Sequence, residues 1–275
     1  NKDVIAKLPN EVRQIINSEA EVVNKLGSNA MGNYLYVYKG VYATDEDVPV
    51  NPLTGERLRM GGNTSTQAYF KAGDPIWVDV NGDYIIDEKD KVIVGNSQPR
   101  MTGGISINLR YKAFSINTNC SFTLRRDIIN KALADRFRAY GTPVAGKVDL
   151  TGSGALTPIE AYNFWTEDNI YAQYPNPFDY TRSSIIQPFR YDQTLFMEDG
   201  SYFKINGISV AYTIPKKMLD FFRISRCQLN FSMNNIYTFS KYSGINPENV
   251  NNLGYDTSGG YPNGRTVTFG VSMDF

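Results

Sequence analysis

Residues 79–90 read DVNGDYIIDEKD, the stretch with the clearest chemistry in the chain. Numbered as a twelve-residue calcium loop, it supplies Asp79, Asn81 and Asp83 at positions 1, 3 and 5. The Ile85 carbonyl falls at position 7, Asp87 at 9 and Asp90 at 12. Calcium takes six to eight hard oxygen ligands, and this spacing wraps one short loop around one ion. Ile86 at position 8 is the expected apolar anchor. Two positions depart from the pattern: Tyr84 stands where glycine gives the sharp turn, and Asp90 replaces the longer, bidentate glutamate. A single calcium ion is expected here. The alternative is an acidic turn whose Asp and Asn side chains cap the backbone without metal.

No catalytic set emerges elsewhere. The chain has no histidine, which removes the commonest general base and rules out Ser-His-Asp and Cys-His arrangements. An enzyme is not expected. GNSQPRMTGG (95–104) lacks the helix and the Lys-Ser/Thr of a phosphate loop. The tyrosines of YAQYPNPFDY (171–180) could stack on sugar rings or pack the loop against its neighbours. Lys+Arg and Asp+Glu both number 28; a zero balance offers no basic field, so no nucleic-acid partner is expected. Cys120 and Cys227 lie far apart, each on the apolar face of a strand, as small hydrophobes.

What must hold these residues is a set of strands. The ending RTVTFGVSMDF puts Val267, Phe269, Val271, Met273 and Phe275 on one face and Thr266, Thr268, Gly270, Ser272 and Asp274 on the other. A period of two marks a strand with one apolar and one polar face. Residues 104–111 and 114–124 alternate in the same way around a Lys112-Ala113 turn and read as a hairpin. Residues 202–214 alternate with a parity flip at Asn206-Gly207, the signature of a β-bulge. Residues 227–233 and 265–275 complete the set. Most are close to the roughly 9–11 residues of a tilted membrane strand, and no apolar run reaches the roughly 20 of a spanning helix.

Short links (Lys112-Ala113 and 215–225) alternate with long ones (126–200 and 241–264), as short periplasmic turns alternate with long extracellular loops in outer-membrane barrels. The face assignment puts Ile105, Ile107, Leu109, Ile116, Phe122, Val267, Phe269 and Val271 toward lipid. Phe275 is expected to end the closing strand, and the abrupt opening NKDVIAKLPNEV reads as a cut. The first hundred residues differ: a helix is expected over 11–26, a strand over 34–42, and a polar, turn-rich stretch over 43–100. The division that follows is 1–100, barrel strands and an extracellular region with the calcium-like loop, and 101–275, the last barrel strands and their loops.

Five segments together carry a family resemblance: AGDPIWVDVNGDYIIDEKDKVIVGNSQPR (72–100), GGISINLRYKAFSINTNCSF (103–122), SYFKINGISVAYTIPKKML (201–219), NNIYTFSKYSGINPE (234–248) and GYPNGRTVTFGVSMDF (260–275). In this order they resemble the carboxy-terminal part of the SusC/RagA family of TonB-linked outer-membrane transporters of Bacteroidetes. The resemblance implies an all-β fold, an antiparallel transmembrane β-barrel segment from a large plugged barrel. It also implies an outer-membrane location, a SusD-like surface lipoprotein as partner, TonB acting through an upstream part, and oligosaccharides or peptides as cargo. The rival is a secreted, calcium-stabilised β-sandwich that binds glycans. A third reading is an outer-membrane adhesin or porin without energy coupling.

Overall fold

The computed structural model describes residues 4–7, 22–23, 25–29, 32–61, 68–140, 143–144, 147–148, 161–220, 224–257 and 263–275. Its largest feature is a five-stranded antiparallel sheet: β1 (Met101–Tyr111), β2 (Phe114–Leu124), β3 (Tyr202–Thr213), β4 (Arg226–Ser240) and β5 (Thr266–Asp274). Each strand pairs with its neighbours in chain order, giving an up-and-down meander. Strands of 9 to 15 residues match the length a tilted membrane strand needs.

The register aligns the apolar positions in rows. Leu109, Ile116, Val210, Phe231 and Phe269 form one, and Ile107, Thr118, Ile208, Met233 and Val267 the next. The expected slip at Asn206-Gly207 is present: the register shifts between Ile205 and Gly207 against both neighbours. The Gly207 backbone lies so close to β4 that an added Cβ would meet the Asn234 amide oxygen at 2.9 Å. On β4 the bulge leaves Asn235 in the left-handed region, φ 53°. This re-phases the strand, so β4 runs on to Ser240, well past the 227–233 expected from alternation.

All the long connections leave from one end of the sheet. The chain enters β1 there from residue 100, and the β2–β3 and β4–β5 links depart from the same end. These segments pack into a dome. One core joins Tyr36, Phe70, Trp77 and Ile86 to Ile186 across the two longest stretches. A second joins Leu35 to Ile129, Leu253 and Tyr255. A third gathers Phe164, Phe189 and Phe196 around Phe137, which lies in a helix, α1 (Lys131–Tyr140). The cores thus mix residues from both sides of position 100. The described strands before position 101 pair among themselves or within the dome, outside the five-stranded sheet.

The dome also buries charged side chains, several of them in ion pairs. Arg182 donates from Nε to Asp74 Oδ1 at 3.0 Å and from Nη2 to the Tyr69 carbonyl at 2.6 Å. Lys91 reaches Asp192 at 2.7 Å, and Arg190 bonds the same carboxylate while lying over the Tyr36 ring at 4.7 Å. Burial alone would raise the Asp192 pKa; the hydrogen bond and charge of Arg190, with Lys91, outweigh it and hold the carboxyl below its usual value. Trp77 Nε1 donates to the buried Gln193 at 2.8 Å.

The strand expected over 34–42 is broken at Val37 into Gly32–Tyr36 and Tyr38–Val41. Most of the helix expected over 11–26 lies outside the described residues. Within it, Val22–Val23 pairs as a strand with Gly32 and Asn33. Both cysteines are free thiols.

Candidate membrane surface and acidic loop

The two faces of the meander differ chemically along their whole length. On the polar face, the row Asn108–Asn117–Ser209–Ser232–Thr268 is typical. Hydroxyls and amides bond across strands: Ser106 Oγ donates to Asn119 at 2.8 Å, and Asn206 Nδ2 to Ser121 Oγ at 3.0 Å. On the opposite face the large apolar side chains stand open. Leu109 is 59% exposed, Phe269 68% and Phe239 55%. No described residue packs a second sheet over them. An apolar surface of this breadth marks a membrane or protein contact.

Aromatic rows bound the apolar band. At the dome end Phe122, Phe203 and Phe239 share a row, with Tyr237 against Phe239 at 4.6 Å. The Phe122 ring covers Gly103, where a Cβ would sit 2.6 Å from it, so the glycine lends the ring its seat. At the far end Tyr111, Phe114 and Tyr212 share a row, with Phe114 and Tyr212 centroids 4.6 Å apart. Phe114 and Phe122 are eight steps apart on one strand. At about 3.4 Å per residue and a tilt of about 40°, the band is roughly 21 Å tall. Transmembrane barrels carry an apolar band of about 25 Å between aromatic girdles. The eight residues assigned to lipid from the sequence, Ile105, Ile107, Leu109, Ile116, Phe122, Val267, Phe269 and Val271, all fall on this face.

The acidic loop lies in the dome. Gly82 and Tyr84 both adopt left-handed backbone, φ 74° and 62°; tyrosine itself makes the turn for which the pattern wants glycine, at a cost of about 1–2 kcal/mol. Asp79 offsets this by accepting from both: Gly82 N–H at 2.7 Å and Tyr84 N–H at 2.8 Å. Asn81 accepts from Asp83 N–H and Asp83 from Ile85 N–H. Asp87 caps a short turn through Lys89 N–H, and Asp90 accepts from Val80 N–H at 2.9 Å and Asp87 N–H at 2.8 Å. Asp90 is buried; desolvation raises its pKa, and the Asp79 charge adds to the rise. Positions 1 and 12 are therefore brought together. Ile86 is buried in the dome core beside Met60 and Trp77, the anchor its position requires.

The backbone-capping turn is thus formed. The donor set has the hard-oxygen chemistry of a calcium site, and each capped carboxylate oxygen keeps a second lone pair. Among the described residues, however, no three His, Cys, Asp or Glu side chains converge as a metal-ligand group. The Lys91–Asp192–Arg190 cluster is not legible in the sequence, because Lys91 lies about a hundred residues from the Arg190–Asp192 pair it joins and no local pattern links them.

Comparison with known proteins decides what kind of sheet this is. "TonB-dependent receptor P3" of Formosa agariphila is 27% identical over 100% of this chain and 26% of its own length. "TonB-dependent receptor SusC" of Bacteroides thetaiotaomicron is 23% identical over 91% of the chain and 24% of its own length. The structure of the RagAB peptide importer in its open-open state superposes with a TM-score of 0.66, at 17% identity, covering 98% of this chain and 25% of that one. The chain resembles the SusC/RagA-type TonB-linked transporters. A second RagAB structure, described as a peptide transporter, superposes with a TM-score of 0.63 over 96% of the chain at 18% identity. No family model matches the chain. It spans about a quarter of the length of the curated relatives it matches. The fold is all-β, a segment of an antiparallel transmembrane β-barrel; no described helix is long and apolar enough to cross a membrane.

Proposed function

We propose that this chain is the carboxy-terminal β-barrel part of a TonB-dependent outer-membrane transporter that imports glycans or peptides together with a SusD-like surface lipoprotein. The observation that carries the reading is the meander itself. Its apolar face is banded between aromatic rows, its other face is polar and mostly of small side chains, and every long connection leaves from one end. The dome then lies on the extracellular side and the short links on the periplasmic side, as barrels of this class are built. The secreted sandwich is disfavoured because the apolar face meets no second sheet among the described residues. Relatives that carry receptor and importer names favour a transporter over both an uncoupled porin and an enzyme.

The test is an affinity purification of the full-length, tagged transporter from outer membranes, followed by uptake of labelled oligosaccharides and peptides with TonB present and deleted. Recovery of a surface lipoprotein and uptake that vanishes without TonB is the expected outcome. Absence from the outer-membrane fraction would overturn the reading.

The acidic loop is proposed to draw in further on a calcium ion through Asp79, Asn81, Asp83, Asp87, Asp90 and the Ile85 carbonyl. Supporting this are the spacing and the joined ends of the loop, where Asp90 accepts from Val80 N–H beside Asp79.

A further inference from the structure

Three lysines lie at the short-connection end of the sheet, Lys112 in the β1–β2 turn and Lys216 and Lys217 just beyond β3. Lys112 occupies the β1–β2 turn in the left-handed region, φ 51°, and its ammonium lies 5.2 Å from the centroid of the Tyr111 ring. Tyr111 is on the apolar face and 70% exposed. The turn is tied to β3, since Thr213 N–H donates to the Ala113 carbonyl at 2.9 Å. Three residues beyond Thr213, after Ile214 and Pro215, the chain places Lys216 and Lys217 in a single helical turn, α2 (Lys216–Leu219). Leu219 faces inward and is buried, while Met218 is 65% exposed. Among the described residues none of the three lysines forms an ion pair, and Asp220 is the one acid in the adjoining turn. The neighbouring cations Arg110 and Arg226 have the parity of the polar face, and Arg226 bonds Gln228 there.

We propose that Lys112, Lys216 and Lys217 form a docking surface for the phosphate headgroups of anionic phospholipids, with Tyr111 and Met218 seated in the adjoining acyl boundary. The inference rests on the membrane reading above. Charge complementarity commits it to this occupant. The lysines flank the one rim of the apolar band that the dome does not cover, at the depth where headgroups meet hydrocarbon. Lysine stems lie along apolar surface while their ammonium groups reach the headgroup layer. A tyrosine ring under one ammonium supplies the amphipathic body such an interface selects. A merely solvated charge cluster would explain the lysines but not the exposed Tyr111 under the Lys112 ammonium or the exposed Met218 next to Lys217.

The test uses full-length transporter folded into vesicles of phosphatidylcholine with a fifth of phosphatidylglycerol. Spin-labelled forms of each lipid report the fraction immobilised at the protein surface. Each lysine near an anionic surface is worth about fivefold in occupancy at low salt. The expected result is at least about a tenfold preference for phosphatidylglycerol. It should collapse toward unity in the triple variant K112Q/K216Q/K217Q and weaken in wild type at 0.5 M salt, where the screening length is only a few ångströms. The variant K25Q/K39Q, with charges removed far from the turns, should keep the preference. Insertion with no preference in wild type, or an equal loss in both variants, overturns the proposal and leaves the membrane reading intact. Failure of wild-type protein to insert overturns the reading and the proposal with it.

Discussion

Arginine at position 107 should separate a membrane band from any other use of the apolar face. Ile107 lies in the middle row of five, with Thr118, Ile208, Met233 and Val267. Each aromatic row is four residues away along the strand, roughly 14 Å, or about 10 Å of depth after tilt. Ile107 therefore sits near the bilayer midplane, where arginine costs about 2–4 kcal/mol, and Tyr111 near the rim, where it costs about 0–1 kcal/mol. In equilibrium terms Ile107→Arg lowers the folded-to-unfolded ratio by roughly 30- to 900-fold. Asn108→Arg, on the polar face, should fall within about 0.5 kcal/mol of wild type. The assay is a urea series on full-length protein folded into vesicles, scored by the gel shift between folded and unfolded barrel. The expected order of stability is Asn108→Arg, then Tyr111→Arg, then Ile107→Arg. An Ile107→Arg midpoint equal to that of Asn108→Arg would refute the assignment of faces, and equal losses at 107 and 111 would refute the depth.

Asp192→Asn removes the buried carboxylate partner of the fully buried Lys91 ammonium, which also meets the exposed Glu88 at 3.0 Å. Loss of one partner of a buried pair costs about 3–5 kcal/mol, measurable as faster hydrogen exchange through the dome. Because the Asp192 carboxyl is held below its ordinary value when folded, its stabilising contribution is full above the unfolded carboxylate pKa of about 3.9 and is lost as pH falls through the folded value. Dome exchange should therefore rise on acidification across that window more steeply in wild type than in Asp192→Asn, where the Asp179 carboxylate, also held low, still contributes. Gly207→Val forces a Cβ against β4 at the bulge and should cost about 1–3 kcal/mol, read from the same urea series; a neutral result would contradict the close approach. Calorimetric titration of full-length protein with calcium should show one site that Asp79→Ala and Asp83→Ala abolish, and a flat titration in wild type would remove the metal from the account.

The barrel strands were legible because their chemistry is local. Alternation over 104–111, 114–124 and 202–214 needs no knowledge of partners, and the flip at Asn206-Gly207 announces its own bulge. On β4 the alternation is legible only to Met233, because two consecutive asparagines hide the re-phasing that Asn235 makes with one left-handed residue. The dome was not legible as a core. Residues 43–100 read as polar and turn-rich, yet Tyr42, Phe70, Trp77 and Ile86 pack with Ile186 from another loop. Such cores have no period, and the pairs that hold them, such as Trp77 with Gln193, are separated by 116 residues. α1 escaped notice because its apolar positions serve one aromatic cluster, centred on Phe137, whose other members come from residues 162–196. In the acidic loop the spacing of oxygens was readable, but the capping bonds that use them depend on backbone angles, above all at Tyr84.

The central claim is that the apolar face of the five strands meets lipid. It is tested most directly by nitroxide scanning of β5, residues 266–274, in full-length protein in outer membranes, with Cys120 and Cys227 replaced by serine. Collision rates with oxygen, which concentrates in hydrocarbon, and with a water-soluble nickel chelate are compared at each position. Oxygen maxima are expected at 267, 269 and 271 and nickel maxima at 266, 268 and 270, out of phase with period two. In-phase profiles, or nickel access equal at Phe269 and Thr268, would contradict it.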